Sequence, residues 1–377
     1  MTSQATASII DHFSSIEDPR IDRKKCHKLT DIFFITLCAT ICGADDWATI
    51  EQYAKAKEAW FTEILELKHG IPSHDTLGRV FSLIDTQHFS ECFSRWASDL
   101  TELSDGDVIA IDDKCLRCSV NKASNKSAIY MVSAWASKNK LVLGQQKVDA
   151  KSNEITAIPK LLMQLNISGS VVTMDAMGCQ KKIASQIIEQ QADYMLSLKG
   201  NQGNLHEDIK LFFESENTCP EVGHESYDGG HGRIETRTVY ASSNIEWLKA
   251  LHPEWTGLKS IVAVKAKREF KNKTSEETRY FISSLDASDP KYLGHVVRSH
   301  WGIENNLHWV LDHAFKEDDQ RMRTDYGDAN MAIIRHIALN LIKAEKTLKI
   351  GVKGRRLKAG WSDDYLLTVL LGKALQS

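Results

Sequence analysis

Apolar residues recur at helical spacing through Leu29 to Cys42, Trp47 to Phe61 and Thr76 to Ile84, so residues up to about 104 read as helical. Ser73 and Asp75 stand where a helix cap is expected. The stretch Ser73 to Val80, after a turn at Gly70 and Pro72, has two readings: a DNA-reading helix or an ordinary packing helix.

From Val108 the pattern changes. Val108-Ile109-Ala110-Ile111 is a continuous apolar run that ends in Asp112 and Asp113, as a buried strand reads. Ala128 to Ala136 and Leu141 to Val148 form a hairpin about the polar turn Ser137-Lys138-Asn139-Lys140. Asn153 is placed to cap a helix through Leu165, and Gly169 breaks it. Val171 to Met174 makes a second buried strand ending in an acid, Asp175; a helix from Gln180 to Gln191 and the strand Tyr194 to Leu198 follow. The succession predicts an α/β fold with a ribonuclease-H-like mixed sheet core, whose first and fourth strands run side by side in the same direction. Asp112 and Asp175 would then emerge at one end of the sheet.

Thr236 to Tyr240, Ser260 to Val264 and Thr278 to Ile282 look like strands between Gly-, Ser- and Asn-rich stretches, and residues 203–290 read as a β-rich insertion. An amphipathic helical segment through Phe315 and another from Ala329 to Glu345 follow. Four parts are expected: a helical N-terminal domain (1–104) for binding DNA ends, the first part of the core (105–202), the insertion (203–290), and core completion with a basic helical tail (291–377).

Composition narrows the class. Hydrophobic content of 42% and charged content of 26% suit a folded globular chain. The most apolar early stretch, Ile32 to Cys42, is shorter than the ~18 residues a bilayer span needs, so a cytoplasmic address is expected. The eight cysteines give no disulfide framework, and Cys115-x-x-Cys118 lacks a second pair at zinc spacing. A net charge of −3 excludes a uniformly basic coat, so DNA contact must come from local patches. One holds Arg20, Arg23, Lys24, Lys25 and Lys28; the other runs from Lys343 through Lys346, Lys349, Lys353, Arg355 and Arg356 to Lys358. Each also reads as a solvated face.

In the helix around Trp301 to Ala314, Ile303, Leu307, Val310, Leu311 and Ala314 make an apolar stripe. His300, Glu304 and His308 share a neighbouring polar face, from which Glu304 can reach along a sheet edge toward the two aspartates. Three converging carboxylates repel unless a cation holds them. Hard oxygen ligands suit Mg²⁺ or Mn²⁺, and two such ions can clamp the entering and leaving oxygens of a phosphoryl transfer. Singly, each acid also reads as a cap or a solvated side chain. Lys199, Asn201 and Gln202 directly follow the last core strand, and they, Lys114 and Arg117 are candidate phosphate contacts. His300, Trp301, Asn305 and His308 are further candidates for touching DNA.

The blocks Ile111-Asp112-Asp113-Lys114, Thr173 to Gln180, Leu198-Lys199-Gly200-Asn201-Gln202 and His300 to Trp309 together resemble the H-repeat-associated family of insertion-sequence transposases. Gly70 to Asp75 and Glu317-Asp318-Asp319 extend the resemblance over nearly the whole chain. It implies a DDE catalytic core, with Asp112, Asp175 and Glu304 as the triad, acting on double-stranded DNA at inverted repeats; pairing two DNA ends needs two active sites close together, so a homodimer on DNA is expected. The family motif reads Asp-Gly-Lys-Thr where this chain has Asp113 and Cys115 in place of Gly and Thr. That departure leaves an alternative, a catalytically impaired DNA-binding relic. An aspartyl phosphatase is a third reading, disfavoured because Lys114 falls where its second acid belongs.

Overall fold

The computed structural model describes residues 9–120, 127–149, 152–221, 223–230, 233–271 and 273–371, without the side chain of Lys24. Strands β1 (Val108–Leu116), β2 (Ile129–Ala136), β3 (Leu141–Lys147), β4 (Val171–Met174) and β5 (Asp193–Leu198) follow the predicted order. Beyond them come β6 (His224–Gly230), β7 (Arg233–Ser242), β8 (Ser260–Phe270) and β9 (Lys273–Ser283). Among the described residues all nine join one mixed sheet, in the order β3-β2-β1-β4-β5-β9-β8-β7-β6. β1 runs parallel to β4 and β4 to β5, while the hairpin β1-β2-β3 and the outer strands are antiparallel. This is a ribonuclease-H-like α/β core, and the β-rich segment extends its edge.

Alternation along β1 sorts the core into two layers. Ile109 and Ile111 face the helices Glu154–Met163 and Lys181–Glu189 in one buried cluster. Val108 and Ala110 face the other way, toward clusters that include Leu293, Val296, Ile303 and Leu307 of the catalytic-helix region. Each fully buried Val or Ile contributes roughly 1.5–3 kcal/mol relative to exposure, so a one-residue slip in β1 would invert a large energy difference. The pleat therefore dictates that Asp112 and Lys114 share the face toward residues 290–308 and that Asp113 lies on the opposite one.

The N-terminal helices do not pack alone. Phe34, Phe61, Phe81 and Phe93 sit in the same cluster as Ile334, Ile337, Leu341 and Leu366 of the C-terminal helices Gly327–Ala344 and Asp363–Leu371. Asn340 completes the link, its amide donating to the Val142 carbonyl on β3 and its oxygen accepting from the Val142 N–H. No helix among the described residues is long and apolar enough to cross a membrane.

Several elements differ from their predicted extents. β1 continues past the two aspartates to Leu116 because β2 stays paired with it after β4 has ended. β7, β8 and β9 run well beyond the short apolar runs that announced them, and β6 carried no apolar alternation at all. Their outer halves are largely exposed and held by cross-strand pairing of polar residues. Asn153 precedes its helix without a side-chain cap bond. The amphipathic segment near Glu304 is not one helix: Pro290–Ile303 is α-helical, Glu304–His308 forms a π-helical turn, and Trp309–Phe315 resumes the α-helix.

Candidate active site

Two glycines set the register that brings the aspartates together. Gly106 and Gly169 both adopt positive φ, and the Gly106 N–H donates to the Gly169 carbonyl at 2.8 Å, tying the entrances of β1 and β4. A Cβ on Gly169 would lie 2.4 Å from Asp105 Oδ1, so only glycine fits. From there Val108 pairs with Val171 and Ile111 with Met174. Asp112 and Asp175 are the next residues on strands spaced by ~4.8 Å.

Asp175 opens a tight loop. Its Oδ1 accepts from the Met177 and Gly178 N–H groups at 3.0 and 3.3 Å. Gly178 is pressed against Met174, where an added Cβ would meet Sδ at 2.8 Å and Cβ at 2.9 Å. From outside, Asn201 Nδ2 donates to the Ala176 carbonyl (2.6 Å) and Gln202 Nε2 to the Cys179 carbonyl (2.8 Å). Each amide thereby ties down the loop that carries Asp175, and Asn201 remains exposed. Lys199 beside them is exposed and lines the cleft.

The Pro290–Ile303 helix crosses the sheet over β1 and β4, starting from an Asp289 cap with Pro290 in its first turn. His300 near its end and His308 in the π turn after it dock this segment on the sheet. His300 Nδ1 lies 3.1 Å from Thr173 Oγ1 on β4, and His308 Nδ1 lies 3.6 Å from Asp112 Oδ2 on β1. Burial pushes both imidazoles down to about 4, with the Lys114 charge adding to the effect at His308, so both are neutral at pH 7. These contacts tie the helical segment to β4 and β1. Glu304, between them at the start of the π turn, is exposed.

A cleft of about 430 Å³ is lined by Asp112, Asp175 and Glu304 together, with Lys199, Arg279, His300 and Trp301 around them. Burial, then the neighbouring charges of Asp113, Asp175 and Glu304, push the Asp112 carboxyl up to about 7. Asp113, on the opposite face, is raised to about 6 by burial and by Glu154 and Asp175. Among the described residues no group of three His, Cys, Asp or Glu side chains stands close enough to hold a metal ion. The acids share a cleft without forming a finished coordination sphere.

Lys114 lies deeper. Its ammonium is 2.5 Å from Asp312 Oδ1 and 2.8 Å from Glu317 Oε2, with only 10% of the side chain exposed. Arg335 approaches Glu317 from the other side at 3.4 Å. Burial raises the Glu317 carboxyl, but Lys114, Arg335 and His336 outweigh it and hold the group at about 2. Lys114 is thus an internal cation, not the phosphate contact its sequence position suggested. Arg117 remains exposed, its Nε 3.3 Å from Asp318. Trp301 carries the Arg279 guanidinium 4.8 Å over its ring, Asn305 is exposed, and Trp309 is 60% exposed with His313 stacked on it.

Both basic patches are partly structural. Arg356 is buried, donating to the Thr40 carbonyl and to Asp45, and Arg355 holds the carbonyls of Ile342 and Glu345. Lys343 caps the Trp135 ring and donates to the Asn306 carbonyl, while Arg20 is buried against Asp18. Sequence reasoning missed Arg279 and Thr173 in the site. Thr173 lay within a quoted block, and Arg279 follows the polar run of β9 with no local signal.

Residues 10–97 match the DDE_Tnp_1-associated family and residues 103–341 match the Transposase DDE domain. The chain is 42% identical over 369 residues to "Putative transposase YncI" of Escherichia coli O157:H7, covering 96% of this chain and 94% of that protein. It is 40% identical over 375 residues to "H repeat-associated putative transposase YhhI" of E. coli K12, covering 97% and 98%. A sheet that sets two aspartates side by side, a glutamate on the helix above them, and these likenesses along almost the whole length place the chain in the DDE transposase family, among the H-repeat-associated transposases.

Proposed function

We propose that this transposase cleaves DNA at the inverted repeats ending its own insertion sequence and joins those ends to target DNA, with Asp112, Asp175 and Glu304 as its metal-holding acids. The observation supporting this most strongly is that residues far apart in sequence put three carboxylates into one cleft, where burial first, and then the charges of Asp113, Asp175 and Glu304, raise the Asp112 carboxyl to about 7. Such a donor set, all oxygen and unneutralised, fits a hard divalent cation. Two ions, Mg²⁺ or Mn²⁺, would supply charge stabilisation at the attacking and departing oxygens.

The chain's own side chains do the positioning. Lys199 and Arg279 line the cleft where a scissile phosphate would sit and can orient its free oxygens. Neutral His300 and His308 keep the helix on the strands without placing a competing cation there. Trp301, Asn305 and Arg117 lie where flanking DNA can touch them, and the helical residues 1–104 are assigned to the element's ends. Pairing two ends requires two active sites, so the protein acts as a dimer on DNA, associated with the nucleoid when bound. Asp113, facing Glu154 rather than Glu304, leaves the cleft's carboxylate set intact.

End cleavage of an inverted-repeat duplex in Mg²⁺ tests the reading. Wild type should cut and Asp175→Ala should not; equal behaviour of the two would refute the assignment.

A further inference from the structure

Next to the catalytic cleft lies a larger trough of about 750 Å³, walled by β6–β9 on one side and the Pro290–Ile303 helix on the other. The period of two along β7 aims Arg233, Glu235, Arg237 and Val239 into it, and β8 contributes Val264, Ala266 and Arg268 in the same phase. Lys291, Gly294, Arg298 and Trp301 face it from the helix at three-to-four-residue spacing.

Its charges form one continuous ladder. Asp228 bridges Arg298 (3.2 Å) and Arg237; Glu235, almost fully buried, bridges Arg237 (2.7 Å) and Arg268 (3.0 Å); Glu277 bridges Arg268 (3.2 Å) and Arg279 (2.8 Å). Each acid serves at least two guanidiniums, Glu235 reaching Arg233 as well at 3.5 Å, so the ladder begins and ends on a cation, and Arg233 and Lys291 add to the excess. The shared carboxylates hold the forks in fixed orientations, as a preorganised polyanion site requires. Arg279 and Trp301 line both this trough and the catalytic cleft, so the cationic path leads directly to the three acids.

We propose that the trough holds the backbone of an unpaired DNA strand running out of the catalytic cleft. The assignment rests on the DNA-cleaving reading above. Size favours a single strand: the volume lies in the range of small-ligand sites, and a duplex has a major groove of ~12 Å alone. A cationic groove with an aromatic ring at its mouth is also the arrangement that binds single strands without reading sequence.

The test is binding of a fluorescein-labelled oligothymidylate to the full chain, with EDTA present so that cleavage plays no part, between about 50 and 200 mM salt. Arg233, Lys291 and Arg298 are exposed and do not line the cleft that holds Asp112, Asp175 and Glu304, so the combined variant R233Q/K291Q/R298Q is compared with wild type. Its affinity should be weaker, and its log–log salt slope shallower by about 2, from ~0.7 per lost phosphate contact. Lys265→Gln with Lys267→Gln, on the opposite face of β8, controls for charge loss and fold and should leave the slope unchanged. An unchanged slope in the trough variant, or an equal loss in the control, overturns the proposal. So does an equal effect of the trough variant on oligothymidylate annealed to oligoadenylate, which would remove the preference for an unpaired strand. None of these outcomes depends on Asp175, whose substitution tests cleavage separately.

Discussion

Lys114 Nζ lies 2.8 Å from Glu317 Oε2, and this buried ion pair joins the strand carrying Asp112 to the segment that follows the catalytic helix. Asp312, on that helix, completes the clamp. Removing one partner of a buried pair leaves the other charged and unsolvated. Lys114→Met is therefore expected to destabilise the protein by about 3–5 kcal/mol in urea unfolding at pH 7. A loss below about 1 kcal/mol would mean that the clamp does not hold the two elements together.

Asn201 and Gln202 give a contrasting expectation. Since their amides hold the loop after Asp175, Asn201→Ala and Gln202→Ala should each cost about 1 kcal/mol of stability and slow strand cleavage, with DNA affinity unchanged. Weakened DNA binding with an unaltered cleavage rate would return these residues to the phosphate role that their sequence position suggested.

Gly178 has no space for a side chain. Gly178→Ala drives a methyl into Met174 Sδ and Cβ, and overpacking of this kind costs about 1–3 kcal/mol. Because the displaced loop carries Asp175, cleavage should fall more than thermal stability does. Full activity with an unaltered melting temperature would show that the loop repacks freely.

Glu51 binds the entrance of the His74–Leu83 helix, accepting from the His74 N–H at 2.9 Å and contacting the His74 ring and Lys55. Bonds to Lys55 and then His74 hold Glu51 at about 2, below its ordinary 4.5, so its stabilisation is present above about pH 4.5 and is lost as pH falls toward 2. His74 is raised above 6.5, chiefly by Glu51 and then by Asp75, so its stabilisation is complete below about 6.5 and is lost as pH rises through the raised value. The pair should therefore contribute most between about pH 4.5 and 6.5. In melting-temperature profiles Glu51→Gln should flatten both flanks of that window; parallel profiles would contradict the assignment.

The order β1 to β5 and the adjacency of Asp112 and Asp175 were legible because buried apolar runs announce strands and crossover rules then fix their neighbours. Glu304 was legible only as part of a helix face. The π turn that begins at it leaves no mark in an apolar periodicity that passes through Ile303, Leu307 and Leu311 without a break. The internal bonds of Lys114, Asn201 and Gln202 were not legible for one reason: a polar side chain beside a candidate catalytic acid reads alike whether it faces ligand or protein. Only the packing distinguishes them, since Lys114 meets acids some two hundred positions away in sequence. The outer halves of β6 to β9 went unread because they pair through backbone ladders between largely polar, exposed residues, which carry no apolar alternation to read.

The account stands on Asp112, Asp175 and Glu304 gripping divalent cations in one cleft. Replacing Mg²⁺ with Fe²⁺ and adding ascorbate and peroxide cuts the backbone wherever iron is held, whether or not DNA is cleaved. Wild type should be cut beside Asp112, Asp175 and Glu304, and Asp112→Asn and Asp175→Asn should lose all three cuts together. Cuts elsewhere, or cuts that persist in both variants, would contradict it.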